Sequence, residues 1–289
     1  MGRYQVVQTV DCYPVWELVE EATRSVVRIC PERGGIVTGF RSKGRELLYL
    51  DRQTYEDPEA NIRGGIPVLF PICGQLPDGR YEWDGESFTM PNHGVARNRP
   101  WEVAGTETEG HAAITLKLTS DAGTLESYPF DFELRFTYLL KDGGLTIRQE
   151  YGNRSEASLP VYAGFHPYFA SDRKELAYAS DASSVLDLND GREKPFHGSV
   201  DLTGRKEAVF LLGTKQREIA FQPAEGYGIR MSYGGEFRYI VLWSVPDKPF
   251  VCVEPWMAKT NEMNLKEELV MIPAGETLVT ELAISCGPA

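Results

Sequence analysis

Of the four histidines in this chain, two lie where an imidazole could be tuned for proton transfer. His166 occurs in VYAGFHPYF, between Phe165 and the run Pro167, Tyr168, Phe169. In such partly apolar surroundings small environmental shifts move the charge of the ring across neutral pH, which suits a general acid and equally suits a core histidine bonded to backbone. His93 precedes Gly94, with Arg97 and Arg99 following at once. His111 in TEGHAA and His197 in PFHGSV lie in polar loop sequence and read as solvated surface residues.

The carboxylate to set beside these rings is Glu254, in PFVCVEPW. Strand alternation places Phe250, Cys252 and Glu254 on one face. A carboxylate on an apolar face resists ionisation, so its pKa rises from ~4.3 and it becomes a base able to work near neutrality. The competing explanation is a structural ion pair with an arginine on the next strand. Trp256, two residues on, either offers its aromatic face to the C–H groups of a ligand or is plain core. Between Asn61 and Trp101, Arg63 precedes a glycine pair and Arg97 and Arg99 follow His93, so cationic groups gather near backbone that a ligand can approach closely. Arginine forks match carboxylate, phosphate or paired hydroxyls, and they also pair readily with surface carboxylates.

No GxSxG, GxxxxGK[ST] or strand-linked GxGxxG occurs, which removes the motif basis for a nucleophile-elbow hydrolase, a P-loop enzyme or a Rossmann oxidoreductase. Two histidines and a glutamate could form a facial metal triad, but the HxD or HxxxH spacing that accompanies such sites is missing, so no metal is expected. The five cysteines are odd in number and lack CxxC spacing, against both a disulfide framework and a zinc ribbon.

The elements that must position these residues are strands. Phe130, Phe132, Leu134, Phe136 and Tyr138 alternate with polar residues, and after Asp142-Gly143, a pair suited to a tight turn, LTIRQEY resumes the alternation: a hairpin. Further strands are expected at YQVVQTV, SVVRICP, AAITLKLTS, IRMSY, RYIVLWSV, FVCVEPW and TLVTELAIS. Helix is expected only in NEMNLKEEL near Asn261 and in a turn or two around Asp57 to Ala60. With no repeat, low-complexity tract or abrupt linker, the expectation is all-β: one domain over 1–289, a large twisted antiparallel β-sandwich whose concave sheet could carry a ligand.

A formal charge of −12 disfavours nucleic acid and anionic membranes as partners. A small anion is still admissible, because local arginines dominate the field inside a pocket. The N-terminal residues lack a signal-peptide apolar core, and no stretch approaches the ~18 apolar residues of a membrane span, so a cytoplasmic protein is expected.

The segments PERGGIVTGF, RGGIPVLFPICG, HGVARNRPW, AGFHPYF and VCVEPW, in this order, resemble the aldose 1-epimerase (galactose mutarotase-like) superfamily over nearly the whole chain. The resemblance implies a β-supersandwich with a carbohydrate cleft and no required cofactor; a monomer or homodimer is expected. It implies that His166 is the general acid to the ring oxygen and Glu254 the base that takes the anomeric hydroxyl proton. It casts His93 and Arg63 as ligand-positioning residues. Where the family carries a late sugar-binding Asp, the nearest counterpart is Glu207 in RKEAVFL, a departure that bears on hydroxyl selectivity. HPYF resembles the free-sugar mutarotases, whereas RGGIPVLFP and HGVAR resemble the hexose 6-phosphate branch, in which Arg63, Arg97 and Arg99 could cradle phosphate. The acidic net charge favours a free hexose. A non-catalytic carbohydrate sensor and a glycan-processing enzyme are the alternatives on the same scaffold.

Overall fold

Alternation along the strands becomes burial. In the strand Phe132–Lys141, the residues Phe132, Leu134, Phe136, Tyr138 and Leu140 are buried while Glu133, Arg135, Thr137 and Leu139 are half-exposed. Asp142 and Gly143 both adopt positive φ, 53° and 75°, the geometry that matches a two-residue turn to the twist of paired strands. The hairpin then runs without a bulge from Lys141 opposite Gly144 to Phe132 opposite Asn153. Phe130, expected to open this strand, lies just outside it.

The computed structural model describes residues 4–288. Its largest sheet has nine strands in the order Ser199–Asp201, Glu175–Ala179, Glu218–Ala224, Tyr227–Tyr233, Thr277–Gly287, Gly144–Asn153, Phe132–Lys141, Ala112–Thr119 and Glu102–Glu107. A second, eight-stranded sheet runs Arg192–Pro195, Ser184–Asp187, Val209–Leu212, Tyr239–Trp243, Phe250–Trp256, Gly164–Phe165 and Val68–Leu69, with Tyr168–Ala170 also paired to Phe250–Trp256. Neighbours in both are antiparallel. The sheets share one apolar core, where Phe136 of the first meets Phe165 of the second with ring centroids 6.0 Å apart. An N-terminal five-stranded meander, from Tyr4–Val10 to Arg45–Glu46, leans on the strands Ala112–Thr119 and Phe132–Lys141. The all-β sandwich expected from the sequence is the fold observed.

The helical expectation near Asp57 is corrected. The helix is Arg52–Glu56, capped by Asp51, whose carboxylate accepts from Thr54 N at 3.2 Å. Pro58 ends it, because the residue before a proline is pushed out of the helical region; Asp57 sits at φ −79°, ψ 113°, and Asp57 to Ala60 form a turn. Near Asn261 the helix is a single turn, Glu262–Leu265, bounded by Asn261 and Lys266 in left-handed conformation. The helical turn Ala122–Leu125, closed by an Asp121–Thr124 capping box, was not anticipated. The five cysteines are free. Among the described residues, no helix is long and apolar enough to cross a membrane.

Candidate active site

The strand Phe250–Trp256 is buried along its whole length, because one face packs on the core and the other floors a cleft of about 400 Å³. Its neighbour Tyr239–Trp243 sets Val241 opposite Glu254 and Trp243 opposite Cys252. Strand periodicity therefore aims Glu254, Trp256, Val241 and Trp243 into the same cleft, as their lining of it shows.

Glu254 is 1% exposed. Its Oε2 accepts from Trp256 Nε1 at 3.0 Å, and its Oε1 lies 3.4 Å from His166 Nδ1. His166 sits between the short strands Gly164–Phe165 and Tyr168–Ala170, with its N–H donating to Pro67 O at 3.2 Å. Its ring stacks on Tyr168, centroids 4.6 Å apart, and meets Trp243 and His93 edge to face. Aromatic walls thus fix its orientation while Nδ1 makes no hydrogen bond.

Burial holds the Glu254 carboxyl well above the usual range, with the Trp256 N–H and the Arg97 charge pulling the other way. The same burial, with the Arg97 charge acting in the same direction, drives His166 down to about 3. Mutual attraction across 3.4 Å opposes both shifts by favouring the carboxylate–imidazolium form.

His93 takes a positive φ of 65°. Its N–H donates to Gly74 O at 2.7 Å, and its Nδ1 accepts from Gly74 N at 2.9 Å. With Nδ1 an acceptor, the proton of the neutral ring resides on Nε2, and burial keeps the ring neutral by lowering its pKa well below 6.5. His93 lines the cleft as a donor. Gly94 follows at φ 79° because a Cβ there would lie 2.1 Å from Phe70 O.

The three arginines separate. Arg97 is buried and lines the cleft, its Nη2 donating to Ile62 O at 3.3 Å; among the described residues it has no carboxylate within salt-bridge distance. Arg63 is exposed and lines the same cleft. Arg99 does not: it pairs with Asp121 at 2.8 Å, outside the cleft. Placing Arg99 with the other two is corrected, since its direction of projection depends on the turn Ala96–Asn98 that precedes it. Glu207 is exposed on the rim, its backbone N–H donating to Asn189 Oδ1 at 2.9 Å. Trp256 lines the cleft and holds Glu254 through its indole N–H, a role distinct from that of an open aromatic face.

Trp243, Tyr168, Gln75 and Asn92 also line the cleft and were not singled out from sequence. Alternation in RYIVLWSV carried a signal for Trp243, two residues from Val241, but only the pairing with the glutamate strand turns that face into a site.

His166, Cys252 and Glu254 bring three potential metal-ligand atoms within 4.8 Å of one another. The donor set fits a metal poorly. Burial holds the Cys252 thiol far above its usual pKa, whereas the thiolate is the ligand, and Trp256 already occupies one carboxylate oxygen. The arrangement suits proton transfer better.

A family model described as aldose 1-epimerase matches residues 17–278. The putative glucose-6-phosphate 1-epimerase of Salmonella typhimurium is 32% identical over 245 residues, covering 77% of this chain and 76% of its own. The chromosomal protein LacX of Lactococcus lactis is 29% identical over 266 residues, covering 80% and 84%. The solved Slr1438 protein from Synechocystis sp. PCC 6803 superposes with a TM-score of 0.93 at 33% identity, over 99% of this chain and 100% of its own. Galactose 1-epimerase from Lactobacillus acidophilus NCFM, at 14% identity and a TM-score of 0.70 over 100% and 99%, shares the fold.

Proposed function

The chain belongs to the aldose 1-epimerase family, and from that premise we propose that it interconverts the α and β anomers of a hexose 6-phosphate, with Glu254 as base and His166 as acid. It is an isomerase of mutarotase type acting on a sugar. The observation that carries the residue assignment is the buried pair itself: a carboxylate and an imidazole 3.4 Å apart on the floor of a cleft.

Proton counting explains why such a pair suffices. In ring opening, Glu254 takes the proton of the C1 hydroxyl, O1 becomes the aldehyde oxygen, the C1–O5 bond breaks with its electrons going to O5, and His166 protonates O5. Rotation about C1–C2 presents the other carbonyl face, and the reverse transfers close the ring. The pair starts as carboxylate and imidazolium and ends as carboxylic acid and neutral imidazole. Electrostatic attraction and the Trp256 N–H support the first state, and burial supports the second. Opposing terms of this kind let one site run in both directions. Each positioned proton transfer contributes about 10²–10⁴-fold.

The neutral His93 donor holds a ring oxygen or hydroxyl, and Glu207 accepts from hydroxyls at the rim. Arg97 and Arg63 take the phosphate. Support for that last assignment is Arg97, a buried guanidinium without a carboxylate partner among the described residues, which a phosphate dianion would satisfy by charge-assisted hydrogen bonds. The Salmonella relative bears a hexose 6-phosphate activity in its name. The same reading has residues 1–289 acting as one cytoplasmic domain, as monomer or homodimer, with no cofactor or metal and no nucleic-acid or membrane partner.

The test is the rate at which freshly dissolved α-glucose 6-phosphate and α-glucose reach anomeric equilibrium. Both should equilibrate faster with protein than with buffer, the phosphate with the larger kcat/KM. Equal kcat/KM values would return the choice to free hexoses, and acceleration of neither would sink the acid–base reading.

A further inference from the structure

The turn Pro31–Gly35, from the PERGG segment, touches nothing in the proton-transfer pair, yet it is built around a buried arginine. Arg33 is 6% exposed. Its Nη1 donates to Pro58 O at 2.8 Å, and its Nη2 lies 3.3, 2.8 and 3.2 Å from the carbonyls of Thr54, Asp57 and Ala60. Four carbonyl oxygens therefore converge on one guanidinium. The segment they belong to is a closed loop: Asp51 N donates to Arg63 O at 2.8 Å, Leu50 bridges Gly64, and Arg63 N donates to Thr54 Oγ1 at 3.0 Å. Arg33 fills its interior. The last residues of the loop are Asn61, Ile62 and Arg63, which line the cleft, and Ile62 O is the acceptor that holds Arg97.

The next residue lies against the backbone that carries the other arginine. Gly34 N donates to Arg99 O at 3.0 Å, and Trp101 N donates to Pro31 O at 3.0 Å. At φ 79°, Gly34 lies so close to the 97–99 backbone that a Cβ would be 2.0 Å from Arg97 O. One short turn thus braces the backbone of Arg63 through the Arg33 side chain and the backbone of Arg97 through Gly34.

We propose that the Arg33–Gly34 turn sets the spacing between Arg63 and Arg97, so that Arg33 is a positioning residue for the anionic end of the substrate and not for proton transfer. A guanidinium is suited to this because its planar fork can serve several carbonyls while keeping its charge, whereas an ammonium has three donors for the four oxygens. The positive charge also satisfies carbonyls of a loop that has no sheet partner to do so.

The inference rests on the phosphate reading above, and the experiment separates the two. Arg33→Lys, Arg33→Ala and Arg97→Gln are compared with the unsubstituted protein in steady-state anomerisation of glucose 6-phosphate and glucose, with fold checked by circular dichroism. For Arg33→Ala, KM for glucose 6-phosphate should rise about tenfold or more, the effect of weakening a charge-assisted contact to an anion. Its kcat and the limbs of its pH profile should stay put, as should kcat/KM for glucose. Arg33→Lys should fall between, and it carries the test if the alanine variant does not fold. Equal losses on both substrates, a moved pH limb, or an unchanged KM in a folded Arg33 variant would overturn the proposal. Arg97→Gln sensitive with Arg33 variants insensitive would remove only this inference; Arg97→Gln without effect on the phosphorylated substrate would remove both.

Discussion

At the residue scale the site is two groups whose burial works against their charges. Replacing Glu254 by Gln should abolish anomerisation, a loss of at least about 10³-fold in kcat on the scale of lost acid–base catalysis, while the fold gains stability at neutral pH. The sign follows from the raised folded pKa. Glu254 contributes stability that is fully present below its unfolded value of 4.5 and is lost as pH rises through the folded value. Urea midpoints of Glu254→Gln should therefore exceed those of the parent at pH 8 and approach them at pH 4; the opposite trend would mean the carboxylate is stabilised as an ion. For activity, the working pair holds one proton in total. Its acid limb is a second protonation, set by a histidine pushed down to about 3, and its basic limb is the loss of the one proton from a carboxyl pushed up. With glucose, which has no group titrating in this range, the pH profile of kcat/KM should be flat through 6.5, and an acid limb centred at 6.5 would show His166 to be solvated; glucose 6-phosphate would add the limb of its own phosphate near ~6. Arg99→Ala is the control: its half-exposed bridge to Asp121 is worth about 0–1 kcal/mol, and kcat/KM should not change. Glu254, His166 and His93 were legible because their flanking residues are local in the chain. The indole N–H on Glu254 and the stacking of Tyr168 on His166 were less so, since rotamers and cross-strand neighbours create them.

At the element scale, short irregular segments do the aiming. His93 is set by a left-handed residue followed by a glycine whose missing Cβ lets the loop lie against Phe70 O. Gly94→Ala should destabilise by at least about 1–3 kcal/mol in denaturant titration, the cost of a strained backbone position, and should raise KM by displacing His93. An unchanged urea midpoint would show that the loop relaxes freely. The strands read from alternation are strands of the fold, because alternation records which face is buried, but others, Pro14–Glu20, Ile36–Ser42 and Glu218–Ala224 among them, were not read. The helix at Arg52–Glu56 was read too far along the chain: Asp57 to Ala60 are polar enough for a helical turn, but Pro58 and the Arg33 clamp on their carbonyls hold them in a turn instead. That clamp joins residues more than twenty positions apart, beyond the reach of any local pattern.

At the scale of the whole molecule, net charge and local field oppose one another. With a formal charge of −12, the distant surface repels anions, whereas Arg63 and Arg97 put positive charge at the cleft, where the proposed phosphorylated sugar would meet it. Raising salt from about 10 to 150 mM, which shrinks the Debye length from about 30 to 8 Å, should lift kcat/KM for glucose 6-phosphate more than for glucose wherever capture limits the rate. A steep fall for the phosphate alone would show the local arginines dominating at long range as well. The sequence by itself determined the fold class and the faces of the strands it revealed, because alternation records them, and its contiguous motifs singled out Glu254 and His166 as the candidate pair. Only the tertiary structure decided that Glu254 Oε1 and His166 Nδ1 stand 3.4 Å apart, that Trp256 holds the other oxygen, and that Arg97 enters the cleft while Arg99 leaves it. The physical reason is that proton transfer and anion binding depend on distances between strands and loops far apart in the chain, and those distances exist only once the sheets have paired in register and closed over a common core.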